Sequence, residues 1–219
     1  MRVLSVNVGR PRPNPWKGIK LTGIDKRPVE DPVMVRPARA KGLGMVGLAG
    51  DKVYDVRNHG GPDQAVYAYA REDLDFWTER LGRELRDGQF GENLTVAGLD
   101  VTGALLGETW RLGGAVLVQV TAPRIPCVTF QAWLDEPQWV RRFAAARRPG
   151  AYLRVLQPGT VAAGDPVEVV SRPAEAVTIA ESMAAYYGDR DLMRRVLRVP
   201  GRGEKWETIG AGVLARAPR

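Results

Sequence analysis

The stretch Ala115-Val116-Leu117-Val118-Gln119-Val120-Thr121 is the clearest buried strand in the sequence, and it runs directly into Ala122-Pro123-Arg124-Ile125-Pro126-Cys127. Its apolar and β-branched composition is typical of a strand packed inside a fold. The two prolines of the following segment stiffen a short loop that holds Arg124 and Cys127 three residues apart. The sequence therefore predicts a central strand that ends at a rigid polar loop.

Shorter strands are predicted on both sides of this one, at residues 3–8, 19–24, 33–35, 65–69, 151–156 and 166–170. Three prolines between residues 10 and 15 predict the end of the first strand. Apolar side chains at helical spacing predict an amphipathic helix over residues 72–85, and a further helical stretch follows Cys127. Many short strands with few helices indicate a mainly β fold with α, in which a closed or nearly closed barrel carries peripheral helices.

The last part of the sequence has a different pattern, since no strand signal appears after the last predicted strand. Thr178 and Glu181 have the spacing of a capping box at the start of a helix. Asp189 can cap a second helix, and residues 204–215 form a third. An extension of this size is too small to bury a sufficient core of its own, so we expect it to pack against the barrel. We therefore predict a barrel domain followed by a three-helix extension, with bounds at 1–172 and 173–219.

The composition excludes two classes of site. The chain has 219 residues, and 32 Lys and Arg against 25 Asp and Glu give a formal charge of 32 − 25 = +7. Cys127 is the only cysteine and His59 the only histidine, which excludes an intramolecular disulfide and a zinc cage of cysteines and histidines. No apolar run reaches the length of a membrane span and the N-terminus has no signal-peptide core, so we expect a cytoplasmic protein without a membrane partner.

The positive charge is almost all arginine, because only six of the basic residues are lysine. Arginine suits bidentate recognition of phosphate or carboxylate groups, which favours an anionic ligand. The alternative is that most arginines lie on solvated helix surfaces. No aromatic platform or recognised motif accompanies the charge, so nucleic acid is not an expected partner.

Two turn-rich clusters combine glycines with polar side chains. In His59-Gly60-Gly61-Pro62-Asp63-Gln64 the paired glycines allow a ligand to approach the backbone, and Asp63 and Gln64 could orient it. In Phe90-Gly91-Glu92-Asn93-Leu94 the acidic and amide side chains lie between apolar neighbours. Each cluster is compatible with a ligand site, and a plain turn or a capped loop would use the same residues.

The loop after the central strand places Arg124 close to Cys127. A nearby guanidinium favours the thiolate form of a cysteine, and the thiolate is both a nucleophile and a soft metal ligand. The alternative is that Cys127 is a small buried hydrophobic residue, as most free cysteines are. Its place on a stiff polar loop favours a functional role.

Taken in this order, the three clusters resemble the signature of MOSC domains, a family named for the C-terminal domain of molybdenum cofactor sulfurase. The similarity extends from about Val3 to Ser171, and the helical tail resembles the three-helix extension of small stand-alone bacterial members. The resemblance implies a MOSC-type β-barrel, similar to the barrel of pyruvate kinase. It also implies that this barrel binds the molybdenum cofactor (molybdopterin), a pterin dithiolene that bears a phosphate.

The resemblance further implies roles for individual residues. Cys127 matches the family cysteine, either as a direct molybdenum ligand or as the carrier of a persulfide. Arg124 becomes a candidate for binding the anionic groups of the cofactor. His59 and Asp63 are candidates for proton delivery, since an imidazole ordinarily titrates near neutral pH. The other candidates for the cofactor pocket come from the first two clusters: Gly60, Gly61, Gln64, Gly91, Glu92 and Asn93.

Related proteins imply an oxidoreductase that removes oxygen from N-hydroxylated small molecules, such as hydroxylaminopurine-type base analogues. The sequence has no cysteine cluster for iron–sulfur binding and no glycine fingerprint for a flavin or nicotinamide, so a separate reductase or ferredoxin-type electron donor is expected. Pyridoxal phosphate is not expected, because the chain has no room for the desulfurase fold of the full eukaryotic sulfurase. Two other functions stay open: a sulfur carrier that takes a persulfide from a cysteine desulfurase, and a non-catalytic basic binding module.

Overall fold

The computed structural model describes residues 1–40 and 46–216. The strands in this part of the chain are β1 (Arg2–Pro13), β2 (Leu21–Val29), β3 (Val33–Val35), β4 (Val66–Ala70), β5 (Leu94–Ala97), β6 (Thr109–Leu112), β7 (Val116–Pro123), β8 (Ala151–Gln157), β9 (Gly159–Val161) and β10 (Val167–Ser171). The α-helices are α1 (Arg71–Leu81), α2 (Val128–Leu134), α3 (Trp139–Ala146), α4 (Ile179–Tyr186), α5 (Arg190–Arg198) and α6 (Lys205–Ala215). Among these described residues, no helix combines the length and the apolar composition needed to cross a membrane.

Eight strands form one mixed sheet, in the order β10-β6-β7-β8-β4-β5-β1-β2, while β3 and β9 form a separate pair. Neighbouring strands of the large sheet are antiparallel except β4 and β5, which are parallel. The predicted central strand is β7, which lies inside the sheet between β6 and β8. Its side chains Val116, Val118 and Val120 are fully buried, as the apolar composition of the stretch predicts.

The sheet is not closed into a barrel, which corrects the closed or nearly closed barrel expected from the sequence. Its two edges are β2 and β10, and within the described residues these strands share no ladder. The edge at β10 lies against the start of β1, where Arg2 forms an isolated bridge with Pro166. The Val3 N–H donates to the Asp165 carbonyl (2.9 Å) and the Val167 N–H donates to the Met1 carbonyl (3.1 Å) on either side of this bridge.

The strand β1 extends to Pro13, so it includes the first of the three prolines that were expected to end it and stops at the second. Its pairing with β2 shifts register between Arg10 and Arg12, so Pro11 lies at an irregularity of the ladder. A proline is tolerated in a strand at such a position, because no ladder hydrogen bond is required from it. The longer strand carries the chain to the edge of the candidate site at Asn14.

The helix α1 is shorter than the predicted span of residues 72–85. It ends at Leu81, because Gly82 adopts a left-handed conformation with φ of 63°. Leu85 lies beyond this end and is still buried. The apolar spacing therefore identifies Leu85 correctly as a core residue, while the glycine sets the end of the helix.

A largely aromatic cluster joins β4 to the helices α1, α2 and α3. The Phe90 ring lies with its centroid 5.1 Å from Tyr69 of β4 and 5.1 Å from Phe130 of α2. Trp77 of α1 and Phe143 of α3 complete the contacts, with ring centroids 6.1 Å apart. Tilted, edge-on and stacked ring pairs of this kind stabilise a core beyond the area that they bury. The cluster fixes the start of α2, which directly follows Cys127.

The three predicted helices of the tail are present as α4, α5 and α6. The capping box of Thr178 and Glu181 forms in both directions, and the Asp189 side chain accepts from the Leu192 N–H. Buried side chains of all three helices belong to the same hydrophobic cluster as the sheet. The division into domains at residue 172 stays a prediction, and residues 217–219 of the predicted extension lie outside the described residues.

The buried carboxylate of Glu92 shapes the turn before β5. Its two oxygens accept from the Gly88 N–H (2.6 Å) and the Phe90 N–H (2.9 Å), and the Thr95 hydroxyl donates to it at 3.1 Å. Burial raises the pKa of Glu92 to about 7, although these hydrogen bonds act in the opposite direction. Glu92 therefore holds the turn that presents Asn93 and its neighbouring glycine.

The raised pKa of Glu92 predicts a specific dependence of stability on pH. The folded state binds this proton more tightly than the unfolded chain does, so the stability from Glu92 is lost as the pH rises from about 4.5 to about 7. Glu92→Gln has no proton to lose at this position. We expect the free energy of unfolding of wild type, relative to that of Glu92→Gln, to fall by about 3 kcal/mol across this window, as measured by urea denaturation at several pH values.

The matched control for this measurement is Glu84→Gln, at an exposed glutamate that precedes the turn in the sequence. The unfolding free energy of this variant should run parallel to that of wild type over the whole pH range. A difference between wild type and Glu92→Gln that stays constant with pH would contradict the assignment.

Candidate functional site

Two cavities meet at the loop that carries Cys127. We call the first the Arg124 cavity; its lining includes Lys26, Asp51, Gly91, Asn93 and Arg124. We call the second the tail cavity, because helices of the C-terminal tail form one wall; its lining includes Pro62, Ile125, Pro126, Tyr186 and Ile209. All three clusters identified in the sequence contribute residues to these cavities.

Five residues line both cavities and form the boundary between them: His59, Gly60, Gln64, Cys127 and Tyr152. The first four were singled out from the sequence, and the structure brings them together although the chain separates His59 from Cys127 by 68 positions, 127 − 59. A ligand held at the Cys127 sulfur can therefore be approached from either cavity.

Arg124 is a buried cation, only 5% exposed. One of its terminal nitrogens donates to the Phe90 carbonyl, and its guanidinium lies 3.9 Å from the centroid of the Phe130 ring. Burial would lower the pKa of Arg124, but the neighbouring Tyr67, Tyr152 and Cys127 raise it. Within the described residues Arg124 forms no ion pair. A buried charge without a counter-charge is costly, so the site is suited to bind an anion.

Cys127 is half-buried and lines both cavities, so it is not enclosed by the hydrophobic core. It is the N-cap residue of α2 with an extended backbone (φ −135°, ψ 169°), and its side chain makes no capping hydrogen bond. The thiol is therefore available to a ligand. Its position fits the functional role that the sequence favours over that of a buried hydrophobic residue.

The glycines after His59 adopt a backbone that other residues rarely take. Gly60 has φ of 78° and Gly61 has φ of 90°, and only glycine occupies this region at no steric cost. Before these glycines, the His59 N–H donates to the Asp55 carbonyl at 3.0 Å and closes a turn over residues 55–59. The paired glycines thus turn the chain so that His59 faces both cavities.

His59 does not titrate near its ordinary value. Burial first, and then the positive charge of Arg124, lower the pKa of His59 to about 4. The nearby Asp55 acts in the opposite direction and is itself engaged with Lys17 at 2.5 Å. At neutral pH the imidazole is therefore uncharged, with one N–H and one accepting nitrogen.

Asp63 is placed away from the Arg124 cavity and lines only the tail cavity. One carboxylate oxygen accepts from Arg154 (2.8 Å from Nε), and the other accepts from the Glu204 N–H at 2.7 Å. These partners occupy both oxygens, so the geometry favours a positioning role over the predicted proton delivery. Asp63 links the first cluster to the start of α6.

The second cluster contributes unequally to the site. Gly91 and Asn93 line the Arg124 cavity, whereas Glu92 lies beneath them, fully buried. Gly91 has φ of 76°, and an added Cβ would come within 3.2 Å of Ile24 and 3.6 Å of Arg124. Asn93 donates to Asp51 at 2.8 Å. Gly91 and Asn93 are thus exposed to a ligand in the Arg124 cavity, while Glu92 acts through the turn.

Three buried polar atoms without a partner in the described structure belong to residues of the Arg124 cavity: Asn14 Oδ1, Gln64 Oε1 and Arg124 Nε. Buried polar atoms are normally hydrogen-bonded, so these atoms point to a ligand that carries both donors and acceptors. A pterin with its amino and amide groups has this character, and its anionic substituents match Arg124. The residues present therefore fit the molybdenum cofactor.

No group of three His, Cys, Asp or Glu residues that could hold a metal ion occurs within residues 1–40 and 46–216.

Several lining residues were missed in the sequence. Lys26 and Asp51 form a buried ion pair at 2.5 Å in the wall of the Arg124 cavity. The rarity of lysine in the sequence could have identified Lys26 as a candidate. Four of the five described lysines line one of the cavities: Lys17, Lys26, Lys52 and Lys205. Tyr152 was also missed, although strand alternation places it on the same face as Arg154.

Sequence relatives cover most of the chain. Protein YflK of Bacillus subtilis is 36% identical over 208 residues, which are 93% of this chain and 90% of YflK. Protein YiiM of Escherichia coli is 32% identical over 170 residues, 75% of each chain. A protein of Gibberella moniliformis named reductase is 28% identical over 174 residues, which are 78% of this chain and 29% of that protein.

Solved structures agree with these relatives. The crystal structure of YiiM from Geobacillus stearothermophilus matches with a TM-score of 0.78 and 32% identity, over 98% of this chain and 99% of that one. The crystal structure of YiiM from Escherichia coli matches with a TM-score of 0.73 and 27% identity, over 98% of this chain and 94% of that one. The sequence model of the MOSC domain matches residues 55–168. The mixed fold and the MOSC resemblance expected from the sequence are therefore confirmed, and the chain belongs to the MOSC domain family.

Proposed function

We propose that this chain is a molybdenum-cofactor oxidoreductase that reduces N-hydroxylated compounds, with Cys127 as the protein ligand to molybdenum. The observation that carries the proposal is the buried Arg124 cation, which forms no ion pair within the described residues and lines the same cavity as Cys127. Membership of the MOSC family and a relative named reductase support an enzymatic role.

Different residues of the Arg124 cavity would bind different parts of the cofactor. Arg124 would bind the anionic groups of the cofactor, because it carries a charge that no described carboxylate neutralises. Asn14 and Gln64 would accept hydrogen bonds from the pterin N–H groups through their unpartnered oxygens. Cys127 would present its sulfur at the boundary with the tail cavity.

Reduction of an N–OH group to N–H breaks the N–O bond, consumes two electrons and two protons, and releases water. When bound, the molybdenum cofactor supplies the two-electron step that no amino-acid side chain can perform. The electrons come from a separate donor protein of the iron–sulfur or flavin class. The task of this chain is to orient the substrate and to deliver protons at the boundary of the cavities.

Two boundary residues hold protons at neutral pH. Burial raises the pKa of Tyr152, so its phenol keeps the O–H proton. The lowered pKa of His59 leaves the imidazole neutral, so it can pass a proton on from one ring nitrogen to the other. Both side chains line both cavities, where the departing oxygen would be. We assign proton delivery to Tyr152 and His59 and not to Asp63.

Cys127→Ser tests the proposal directly. Protein from a host that makes the cofactor should contain molybdenum and should reduce benzamidoxime with reduced methyl viologen as electron donor. We expect Cys127→Ser to lose more than the roughly 10–100-fold in activity that loss of an outer ligand contact costs, because it removes the ligand itself. Elemental analysis and initial rates measure both properties.

Val128→Ser is the matched control, since it introduces the same side chain at the next position, where the valine is 53% exposed. This variant should keep its molybdenum and its activity. Full activity in protein that lacks molybdenum would overturn the proposal.

Arg124→Met tests the anion site separately. With no ligand bound, removing an uncompensated buried charge should leave the unfolding free energy unchanged or raise it. Cofactor retention should nevertheless fall by roughly 10–100-fold, because a hydrogen-bonded charge contributes about 1.5–3 kcal/mol. Urea denaturation and the molybdenum content after dilution and gel filtration give the two readouts. A variant that unfolds more easily and keeps its molybdenum would show that Arg124 is purely structural.

The position of Cys127 also supports the sulfur-carrier hypothesis, because a half-buried thiol between two cavities can be reached by a sulfur donor. Incubation with a cysteine desulfurase and cysteine, followed by intact-mass measurement, should then show one added sulfur that Cys127→Ser lacks. Unchanged mass would count against this second function.

The basic-module hypothesis has less support, because much of the arginine charge is already paired. Arg142 contacts Glu136, Arg194 contacts Asp191, and Glu175 contacts two arginines of α5. Paired surface charges of this kind leave less net field for a polyanion.

A further inference from the structure

The start of α6 is anchored beside the Cys127 loop by three hydrogen bonds. The Thr121 carbonyl at the end of β7 accepts from the Gly203 N–H (3.1 Å) and from the Trp206 indole (3.0 Å). Asp63 accepts from the Glu204 N–H at 2.7 Å, and Arg154 of β8 holds Asp63 in turn. The tail is therefore fixed against the loop that carries the proposed metal ligand.

Because it is anchored in this way, the C-terminal tail forms one wall of the tail cavity. Tyr186 of α4 and Ile209 of α6 face Ile125 and Pro126 of the Cys127 loop across it, and Pro62 contributes from the first cluster. Such apolar and aromatic walls are typical of sites that bind small organic molecules. The tail cavity is also the larger of the two.

The two cavities differ in charge. The described charged side chains of the Arg124 cavity are three cations and two carboxylates: Lys26, Lys52, Arg124, Asp51 and Asp55. Those of the tail cavity balance, with two cations and two carboxylates: Lys17, Lys205, Asp63 and Glu204. An anion is therefore favoured in the Arg124 cavity, while the tail cavity suits a ligand without net charge.

We propose that the tail cavity is the substrate site, that it takes an uncharged planar N-hydroxylated base and not its phosphorylated form, and that the C-terminal helices determine this specificity. The inference rests on the proposed function for the identity of the substrate. The substrate enters between α6 and the Cys127 loop, so that its N–OH group reaches the boundary residues.

The test uses Ile209→Trp, which narrows the tail cavity at a position that does not line the Arg124 cavity. Two substrates are compared, 6-hydroxylaminopurine and the smaller acetamidoxime, together with equilibrium binding of adenine, the reduced purine, by calorimetry. We expect the ratio of kcat/KM for the purine to that for acetamidoxime to fall at least about tenfold, and adenine binding to weaken by a similar factor. Molybdenum content should stay at the wild-type level.

Thr208→Trp is the matched control, because this neighbouring residue of α6 is exposed and does not line the cavity. It should leave both the substrate ratio and adenine binding unchanged. Ile209→Ala provides a variant that cannot clash, and it should weaken adenine binding by roughly tenfold through lost contact with the wall. Adenosine 5′-monophosphate should bind at least about tenfold more weakly than adenine.

The outcomes separate this inference from the proposed function. Unchanged purine selectivity and adenine binding in both Ile209 variants would overturn the substrate site, even if wild type reduces both substrates. Tighter binding of the monophosphate than of adenine would overturn the preference for an uncharged base. If wild type reduces neither substrate but adenine binding is lost in both Ile209 variants, the proposed function fails and the binding site is supported.

Discussion

A buried positive charge organises this site. The guanidinium of Arg124 lies over the Phe130 ring and donates to the Phe90 carbonyl, yet within the described residues it forms no ion pair. The aromatic cluster fixes Phe90 and Phe130, the turn held by Glu92 fixes Phe90 again, and the prolines around Arg124 limit its backbone. These contacts together hold the cation in a fixed position, where it can bind an anionic ligand.

The charge also explains why the neighbouring groups behave as they do. His59 is kept neutral by burial and by Arg124, so the boundary between the cavities holds one fixed positive charge and two proton carriers, His59 and Tyr152. The ion pairs of Asp55 with Lys17 and of Asp51 with Lys26 keep the nearby carboxylates occupied. As a result, no described carboxylate is left to neutralise Arg124.

The sequence predicts the scaffold and the site to different extents. The central strand and the tail helices follow from local pattern, because β-branched runs and capping residues act over a few positions. The end of β1 does not follow from the local pattern, because a register shift between β1 and β2 accommodates Pro11. Closure of the sheet could not be read locally either, because it depends on whether two edge strands distant in sequence meet. The sequence singles out His59, Gln64 and Cys127, while the boundary between the cavities that they share with Tyr152 depends on strand register.

The distribution of lysine has a practical consequence. Twenty-six basic residues are arginine, which amine-directed reagents leave intact, while four of the five described lysines line one of the two cavities: Lys17, Lys26, Lys52 and Lys205. On the described surface, acylating or crosslinking chemistry that targets primary amines would therefore mark the surroundings of the site, together with Lys20 and the N-terminal amine. Footprinting with such reagents would report occupancy of either cavity without any engineered label.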